Sequence, residues 1–254
     1  MKKTLIAGNW KMFKTPSESV RFVFDLIKNL KKYEDRDVLL CPPFTSLYPI
    51  SQILTNTSIK LGAQNVYFEN EGAYTGEISP LMLKDIGVKY VICGHSERRN
   101  IFGETDEIIN KKLKKVAETG MNPILCVGEK LEEREKGETF WVIENQIKKC
   151  LENFKDIEKL VIAYEPVWAI GTGKTALPQQ AQEVHIFIRE LISTLYNKEA
   201  GENLIILYGG SVKPENIDSL MKEKDIDGVL VGGACLIIDS FLKIIDYKTE
   251  SQNA

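Results

Sequence analysis

The chain has 254 residues, of which 43% are hydrophobic and 27% charged, and its formal net charge is −3 at pH 7. This composition is typical of a globular protein of one or two domains. The small negative charge argues against binding of the whole surface to nucleic acid or to an anionic membrane. Five cysteines form no close pair, and two histidines belong to no zinc motif. We therefore expect a cytoplasmic protein with reduced core cysteines, no metal and no membrane-spanning segment.

Eight short apolar runs follow one another along the chain, separated by longer amphipathic segments. The runs are residues 4–9, 38–41, 59–63, 90–93, 122–127, 160–164, 204–208 and 228–231. Helical patterns occupy residues 17–31, with Ser17 as the expected cap, and 44–54, 80–86, 106–118, 131–150, 178–196, 214–221 and 238–245. Apolar runs bounded by Gly, Pro or Asn are typical of parallel strands covered on both faces. We therefore predict a single-domain α/β protein, a (β/α)₈ barrel over residues 1–246 with a polar tail at 247–254.

The polar residues and glycine turns that directly follow the strand runs are the candidate functional groups, because such a barrel carries its reactive groups there. They are Asn9 and Lys11 after the first run, His95, Ser96 and Glu97 after the fourth, Glu165 after the sixth, Gly209, Gly210 and Ser211 after the seventh, and Gly232 and Gly233 after the eighth. A histidine and a carboxylate can act as acid and base, and glycine-rich turns can hold a phosphate dianion. The set predicts proton abstraction beside a carbonyl in a small phosphorylated substrate.

The segment after Glu165 mixes large apolar side chains with glycines, which is typical of a loop that closes over a ligand. This expected lid comprises Pro166, Val167, Trp168, Ala169, Ile170, Gly171, Thr172, Gly173, Lys174, Thr175 and Ala176. Its Gly-Lys-Thr ending resembles a nucleotide-binding loop, but that motif requires a glycine where Trp168 stands. The alternative interpretation is a glycine-rich connecting loop that has no functional role.

The candidate residues also have simpler interpretations. Lys11 could be a solvated lysine, and His95 could be a hydrogen-bonded structural histidine. His185 lies inside a helical pattern and is expected to be structural or solvated. Residues 97–99, Glu-Arg-Arg, are expected to form a structural ion-pair cluster, although Glu97 is also a candidate for shuttling protons.

Several longer motifs carry a family resemblance. They are AGNWKM at 7–12, GAQN at 62–65, GAYTGEIS at 72–79, GHSERR at 94–99, CVGE at 126–129, AYEPVWAIGTGKTA at 163–176, YGGSV at 208–212 and VGGA at 231–234. With these motifs the chain resembles the triosephosphate isomerases over essentially its whole length. The resemblance implies a TIM barrel that interconverts dihydroxyacetone phosphate and D-glyceraldehyde 3-phosphate in glycolysis and gluconeogenesis. Rival interpretations are another phosphate-binding barrel enzyme and a barrel that only binds or scaffolds.

The resemblance also implies roles for individual residues. Glu165 is the base, His95 a neutral electrophile that handles oxygen-bound protons, and Asn9 and Lys11 stabilise an enediolate. The backbone amides expected to hold the phosphate are those of Gly171, Ser211, Gly232 and Gly233. Ser96 and Glu97 are supporting residues, and neither a metal nor an organic cofactor is implied.

A homodimer is the last implication of the resemblance. Residues 65–79 are the loop expected to dock into a second subunit, with Thr75 reaching the partner's active site. Two positions depart from the family pattern: Phe13 replaces an asparagine near that contact, and Cys235 replaces a serine.

Overall fold

The structure, a computed structural model, describes residues 2–169 and 176–248. Eight parallel strands form a closed barrel in which each strand pairs with its sequence neighbours and β8 pairs with β1. The strands are β1 (Thr4–Asn9), β2 (Arg36–Cys41), β3 (Lys60–Ala63), β4 (Tyr90–Cys93), β5 (Asn122–Val127), β6 (Val161–Tyr164), β7 (Ile205–Tyr208) and β8 (Gly228–Val231). The predicted (β/α)₈ barrel is confirmed, and every strand lies within two residues of its predicted range.

Helices connect the strands. They are α1 (Pro16–Asn29), α2 (Phe44–Leu54), α3 (Pro80–Asp85), α4 (Ser96–Asn100), α5 (Asp106–Glu118), α6 (Leu131–Glu135), α7 (Thr139–Cys150), α8 (Pro178–Leu195), α9 (Lys198–Asn203), α10 (Ile217–Leu220) and α11 (Ile238–Ile245). Short 3₁₀ turns occupy Ile157–Lys159, Val167–Ala169 and Gly233–Leu236. The predicted ranges of α2, α5 and α11 are reproduced without change.

Several helix predictions were wrong in their bounds. The cap of α1 is Thr15 rather than Ser17: its hydroxyl accepts the N–H of Glu18, whose carboxylate accepts the N–H of Thr15. The pattern at 131–150 contains two helices, because Gly137 adopts a positive φ of 75° between them. Only Ile217–Leu220 of the pattern at 214–221 is helical, and the short helices α4 and α9 were not predicted.

The core has two layers, because alternate residues of each strand face the barrel interior or the surrounding helices. On β1, Leu5 and Ala7 belong to a small cluster that includes residues from every other strand except β3, whereas Ile6 belongs to the larger cluster shared with the helices. All five cysteines are unpaired and buried, as expected.

The C-terminal end of the barrel departs from the prediction. Tyr247, assigned to the polar tail, is buried, and its carbonyl oxygen accepts a hydrogen bond from Arg36 at 3.0 Å. The Arg36 guanidinium carbon lies 3.8 Å from the centroid of the Tyr247 ring, so this residue packs with the barrel. Within residues 2–169 and 176–248, no helix is both long and apolar enough to cross a bilayer.

Candidate active site

A cavity of about 420 Å³ opens at the carboxyl ends of the strands. Its walls are formed by the loops after β1, β4, β6, β7 and β8. The lining residues are Asn9, Lys11, His95, Glu165, Gly209, Gly210, Ser211, Val212, Lys213, Leu230, Gly232, Gly233, Ala234 and Ile237. The structure therefore brings the candidate acid, base and cation together with the glycine-rich turns.

Glu165 directly follows β6 and is only 2% exposed. Its backbone N–H donates to the carbonyl of Val127 at 2.7 Å, which extends the pairing of β5 with β6 by one residue. Its carboxylate lies 2.9 Å from His95 Nε2 and accepts the backbone N–H of Ser96 at 2.8 Å. Burial raises the pKa of Glu165, but His95 and the Ser96 N–H outweigh it and lower the pKa below its ordinary value. The carboxylate is therefore ionised at neutral pH.

His95 occupies the cap position of α4, where its Nδ1 accepts the backbone N–H of Glu97 at 3.2 Å. The proton of the neutral ring must then lie on Nε2, the nitrogen that faces Glu165. Burial lowers the pKa of His95, while the Glu165 carboxylate raises it, and the net direction in this arrangement is upward. The backbone N–H of Glu97 opposes protonation of Nδ1, because a protonated Nδ1 could no longer accept this hydrogen bond.

Lys11 reaches the cavity through an unusual backbone conformation. Lys11 has a positive φ of 51°, a left-handed conformation that is uncommon for a residue other than glycine. Two contacts hold it there: its N–H donates to Asn9 Oδ1 at 3.0 Å, and its carbonyl accepts from Gln64 at 2.8 Å. Its ammonium forms an ion pair with Glu97 at 2.7 Å. Lys11 is therefore not a freely solvated lysine, and such strained residues are common in active sites.

The turns after β7 and β8 present backbone amides to the cavity. Among the described residues, no acceptor contacts the N–H groups of Ser211, Gly232 and Gly233. A β-carbon on Gly232 would lie 3.5 Å from Lys11 Cε, so the lysine side chain runs beside this turn. Unpaired amides close to an ammonium group suit an anion such as a phosphate.

Glu129 is a supporting residue that the sequence analysis did not assign. Its carboxylate is completely buried, and one of its oxygens accepts hydrogen bonds from Tyr164, Trp168 and Arg134 at 3.1, 2.9 and 2.9 Å. Its carbonyl accepts the N–H of Val167 at 3.1 Å. Glu129 thus fixes the beginning of the expected lid to the barrel. The CVGE motif indicated the position, but only the fold shows its partners.

The expected lid is only partly described. Pro166 is followed by the turn Val167–Ala169, and Ala176 is buried where the chain reaches α8. Six of the predicted lid residues lie outside the described part of the chain: Ile170, Gly171, Thr172, Gly173, Lys174 and Thr175. The expected phosphate contact of Gly171 lies outside it as well.

The arginines after His95 form ion pairs, as expected, but their partners are not Glu97. Arg98 pairs with Glu104 at 2.5 Å, and Arg99 pairs with Asp106 at 2.6 Å. His185 is fully buried on α8, so of its two expected roles the structural one is confirmed. Within the described ranges, no cluster of three or more His, Cys, Asp or Glu residues could hold a metal ion.

The chain is similar in sequence to proteins of one described family. A sequence profile of the family described as triosephosphate isomerase matches residues 4–248. The triosephosphate isomerase of Carboxydothermus hydrogenoformans is 58% identical over 247 residues, which cover 96% of this chain and 98% of that protein. Its counterparts from Thermoanaerobacter pseudethanolicus and Dictyoglomus thermophilum are 54% and 53% identical, over 97% and 96% of this chain and 100% and 99% of theirs. The chain belongs to the triosephosphate isomerase family.

Proposed function

We propose that this protein interconverts dihydroxyacetone phosphate and D-glyceraldehyde 3-phosphate, a reaction of glycolysis and gluconeogenesis. The observation that carries the proposal is one cavity in which the Glu165 carboxylate, the His95 imidazole and the Lys11 ammonium face two glycine-rich turns. The two triose phosphates differ in the positions of two hydrogens: one moves between neighbouring carbons, and the other moves between the oxygens on those carbons. A single base and a single electrophile are sufficient for such an exchange.

Glu165 acts as the base in this scheme. It removes a proton from the carbon next to the carbonyl, the C–H electron pair forms a carbon–carbon double bond, and the carbonyl oxygen becomes an enediolate oxygen. Returning the proton to the neighbouring carbon gives the other isomer. The lowered pKa of Glu165 keeps the base ionised at neutral pH, and burial leaves no bulk water to compete for the proton.

His95 acts as the electrophile. The Glu97 amide leaves Nε2 as the protonated nitrogen of the neutral ring, and Nε2 faces Glu165 at 2.9 Å. A substrate carbonyl must replace Glu165 as the partner of Nε2, because the reacting carbon has to lie between base and electrophile. Nε2 can then donate to the developing oxyanion and transfer a proton between the two substrate oxygens. Lys11 and Asn9 stabilise the same negative charge from the β1 side.

The phosphate belongs against the turns after β7 and β8. Amides of Ser211, Gly232 and Gly233, with the neighbouring Lys11 ammonium, provide hydrogen-bond donors and positive charge for a dianion. In our proposal Gly171 adds a fourth amide when the 166–176 segment closes. Closure excludes water and keeps the enediolate from losing phosphate.

The proposed assembly is a homodimer formed through the 65–79 loop. Residues 69–77, including Thr75, are exposed, and the rings of Tyr67 and Phe68 stack at 4.2 Å at the base of this loop. A second cavity of about 280 Å³ adjoins the active site, and Lys11, His95 and Glu97 contribute to its walls. Its rim carries large exposed apolar side chains, Met12, Phe44 and Phe102, of which Met12 is 94% exposed.

Exposed apolar groups around a cavity are typical of a protein–protein contact. The partner's loop, with Thr75 at its tip, is the occupant that we propose, and Phe13, itself 55% exposed, is a neighbour of the rim residue Met12. Light scattering checks the assembly: a dimer mass is expected for the wild-type protein, and a smaller mass is expected for Thr75→Arg. A stable wild-type monomer with full activity would contradict the proposal.

The isomerisation is tested with a coupled assay in both directions. Glu165→Gln keeps the size of the side chain but removes the base, so we expect kcat to fall at least ~10²-fold. Conversion absent at micromolar wild-type enzyme would favour a binding protein or an enzyme for another phosphorylated substrate. A Glu165→Gln variant of near-normal activity would show that the base is misassigned. The buried, unpaired cysteines support a cytoplasmic location for the reaction.

A further inference from the structure

Gln146 on α7 holds both main-chain groups of Gly128, the residue that directly follows β5. Its side-chain oxygen accepts the N–H of Gly128 at 2.9 Å, and its side-chain nitrogen donates to the Gly128 carbonyl at 3.1 Å. Gln146 does not line the 420 Å³ cavity and is half-buried behind it. A helix side chain therefore replaces a neighbouring strand as the hydrogen-bond partner of this residue.

Gly128 in turn lies directly against the backbone of Glu165. A β-carbon on Gly128 would overlap the carbonyl group of Glu165, so the two main chains touch without a side chain between them. The preceding residue, Val127, accepts the Glu165 N–H at 2.7 Å. On the opposite side, a β-carbon on Gly209 would lie 3.0 Å from Glu165 Cγ. Glu165 thus sits between two glycines, and Gln146 fixes one of them.

We propose that Gln146 is a positioning residue for Glu165, acting through the Gly128 backbone. The inference rests on the proposed role of Glu165 as the base. Without the two hydrogen bonds, the main-chain groups of Gly128 have no partner among the described residues. The hydrogen bonds of Val127 and Glu129 to the β6 side remain, but the backbone between them, against which Glu165 packs, is free to shift. Proton abstraction depends on the base position within a fraction of an ångström, and a displacement of about 1 Å can lower a rate ~10²-fold. The glycine-rich turns proposed to bind phosphate follow β7 and β8, and their position does not depend on the two hydrogen bonds of Gln146.

The test compares Gln146→Met with a control on the same helix. Methionine has nearly the length of glutamine and can make neither hydrogen bond. Asn145→Ala is the matched control, because among the described residues the Asn145 amide donates within α7, to the carbonyl of Trp141 at 2.8 Å. Gln146→Asn is a second variant that keeps an amide but is one methylene too short to reach Gly128.

We expect Gln146→Met and Gln146→Asn to lower kcat about tenfold. This is smaller than the ~10²-fold loss of rate that a displacement of about 1 Å can cause, because the shift of Glu165 should be smaller than that. KM and the inhibition constant of inorganic phosphate should remain within about twofold of wild type, a split that a general loss of structure would not produce. Asn145→Ala should leave all three constants unchanged.

Three outcomes would overturn the inference: an unchanged kcat in both Gln146 variants, a parallel loss of phosphate affinity, or a fall in kcat that only follows the unfolded fraction measured by circular dichroism. Glu165→Gln is assayed alongside, and it distinguishes a failure of the positioning role of Gln146 from a failure of the proposed base role of Glu165. If that variant is inactive while both Gln146 variants are normal, only the positioning role fails. If it is near normal, the proposed base itself is wrong.

Discussion

The pH dependence of stability should depend on His185. The side chain is fully buried on α8, and its Nδ1 lies 3.0 Å from the carbonyl of Asp225, so Nδ1 must carry the ring proton. Among the described residues, Nε2 has no hydrogen-bond partner, and the ring meets Tyr164 edge-on at 6.0 Å. Burial lowers the pKa of His185 from its ordinary 6.5 to about 4, against a smaller raising effect of the Asp225 carbonyl.

The consequence is a loss of stability on acidification. Between pH 6.5 and about 4 the unfolded chain binds a proton at His185 that the folded chain does not, so the free energy of unfolding falls as pH falls. With these two pKa values, the contribution of His185 to the free energy of unfolding decreases by about 2 kcal/mol from pH 7.5 to pH 5. Above pH 7.5 its contribution is nearly constant.

His185→Asn isolates this contribution. Asparagine can keep a donor where Nδ1 lies, and its amide does not titrate. The smaller side chain leaves a cavity, which lowers stability by an amount that does not vary with pH. Urea unfolding of both proteins, at one protein concentration and at several pH values between 7.5 and 5, gives the difference.

The wild-type protein should lose about 2 kcal/mol more than His185→Asn over this interval. Carboxylates also titrate near its acid end, but they are common to both proteins and cancel in the difference. Parallel curves would refute the reasoning, because they would mean that the folded protein accepts the proton at His185 without penalty.

Three further predictions concern other parts of the chain. Gly128→Ala introduces a methyl group that overlaps the Glu165 carbonyl, so kcat should fall more than ~10-fold in steady-state assays and the melting temperature should decrease. Lys11→Met removes a positive charge beside the phosphate turns, and KM should rise at least ~10-fold with little change in melting temperature; an unchanged KM would contradict the phosphate assignment. Arg189→Met removes the guanidinium partner of Asp225 and Asp227, of which Asp227 keeps its ion pair with Lys2, and should lower the free energy of unfolding by about 2 kcal/mol in urea titrations; an unchanged value would show that water replaces the guanidinium.

The strands could be predicted closely because parallel strands buried on both faces appear in the sequence as uninterrupted apolar runs. The helices were harder to bound, since their ends depend on single residues. Ser17 is a good capping residue in isolation, yet Thr15 caps α1 because Glu18 stands at the spacing that completes the reciprocal hydrogen bonds. Gly137 was overlooked because the apolar periodicity continues across it. Tyr247 looked like part of a polar tail because its partner, Arg36, is more than two hundred residues away in sequence.

The residues that line the site could be predicted because chemistry at strand ends is visible in the chain. Asn9, Lys11, His95 and Glu165 are polar groups at positions where an apolar run stops, and the structure brings them to one cavity. The residues behind them carry no such signal. Glu129 is one of many glutamates in the sequence, and only the fold shows that it is buried among three donors.

The surroundings of Glu165 show why a barrel needs such support. Neighbouring strands lie about 4.8 Å apart, too close for side chains to pass between their main chains. Just beyond the strand ends, Gly128 and Gly209 lie on either side of Glu165, and at both positions a β-carbon would meet Glu165 itself. A glycine adds no side chain to stiffen the turn and has more backbone freedom than other residues. In our proposal, holding Glu165 accurately therefore depends on hydrogen bonds from outside the barrel, and Gln146 supplies two of them to Gly128.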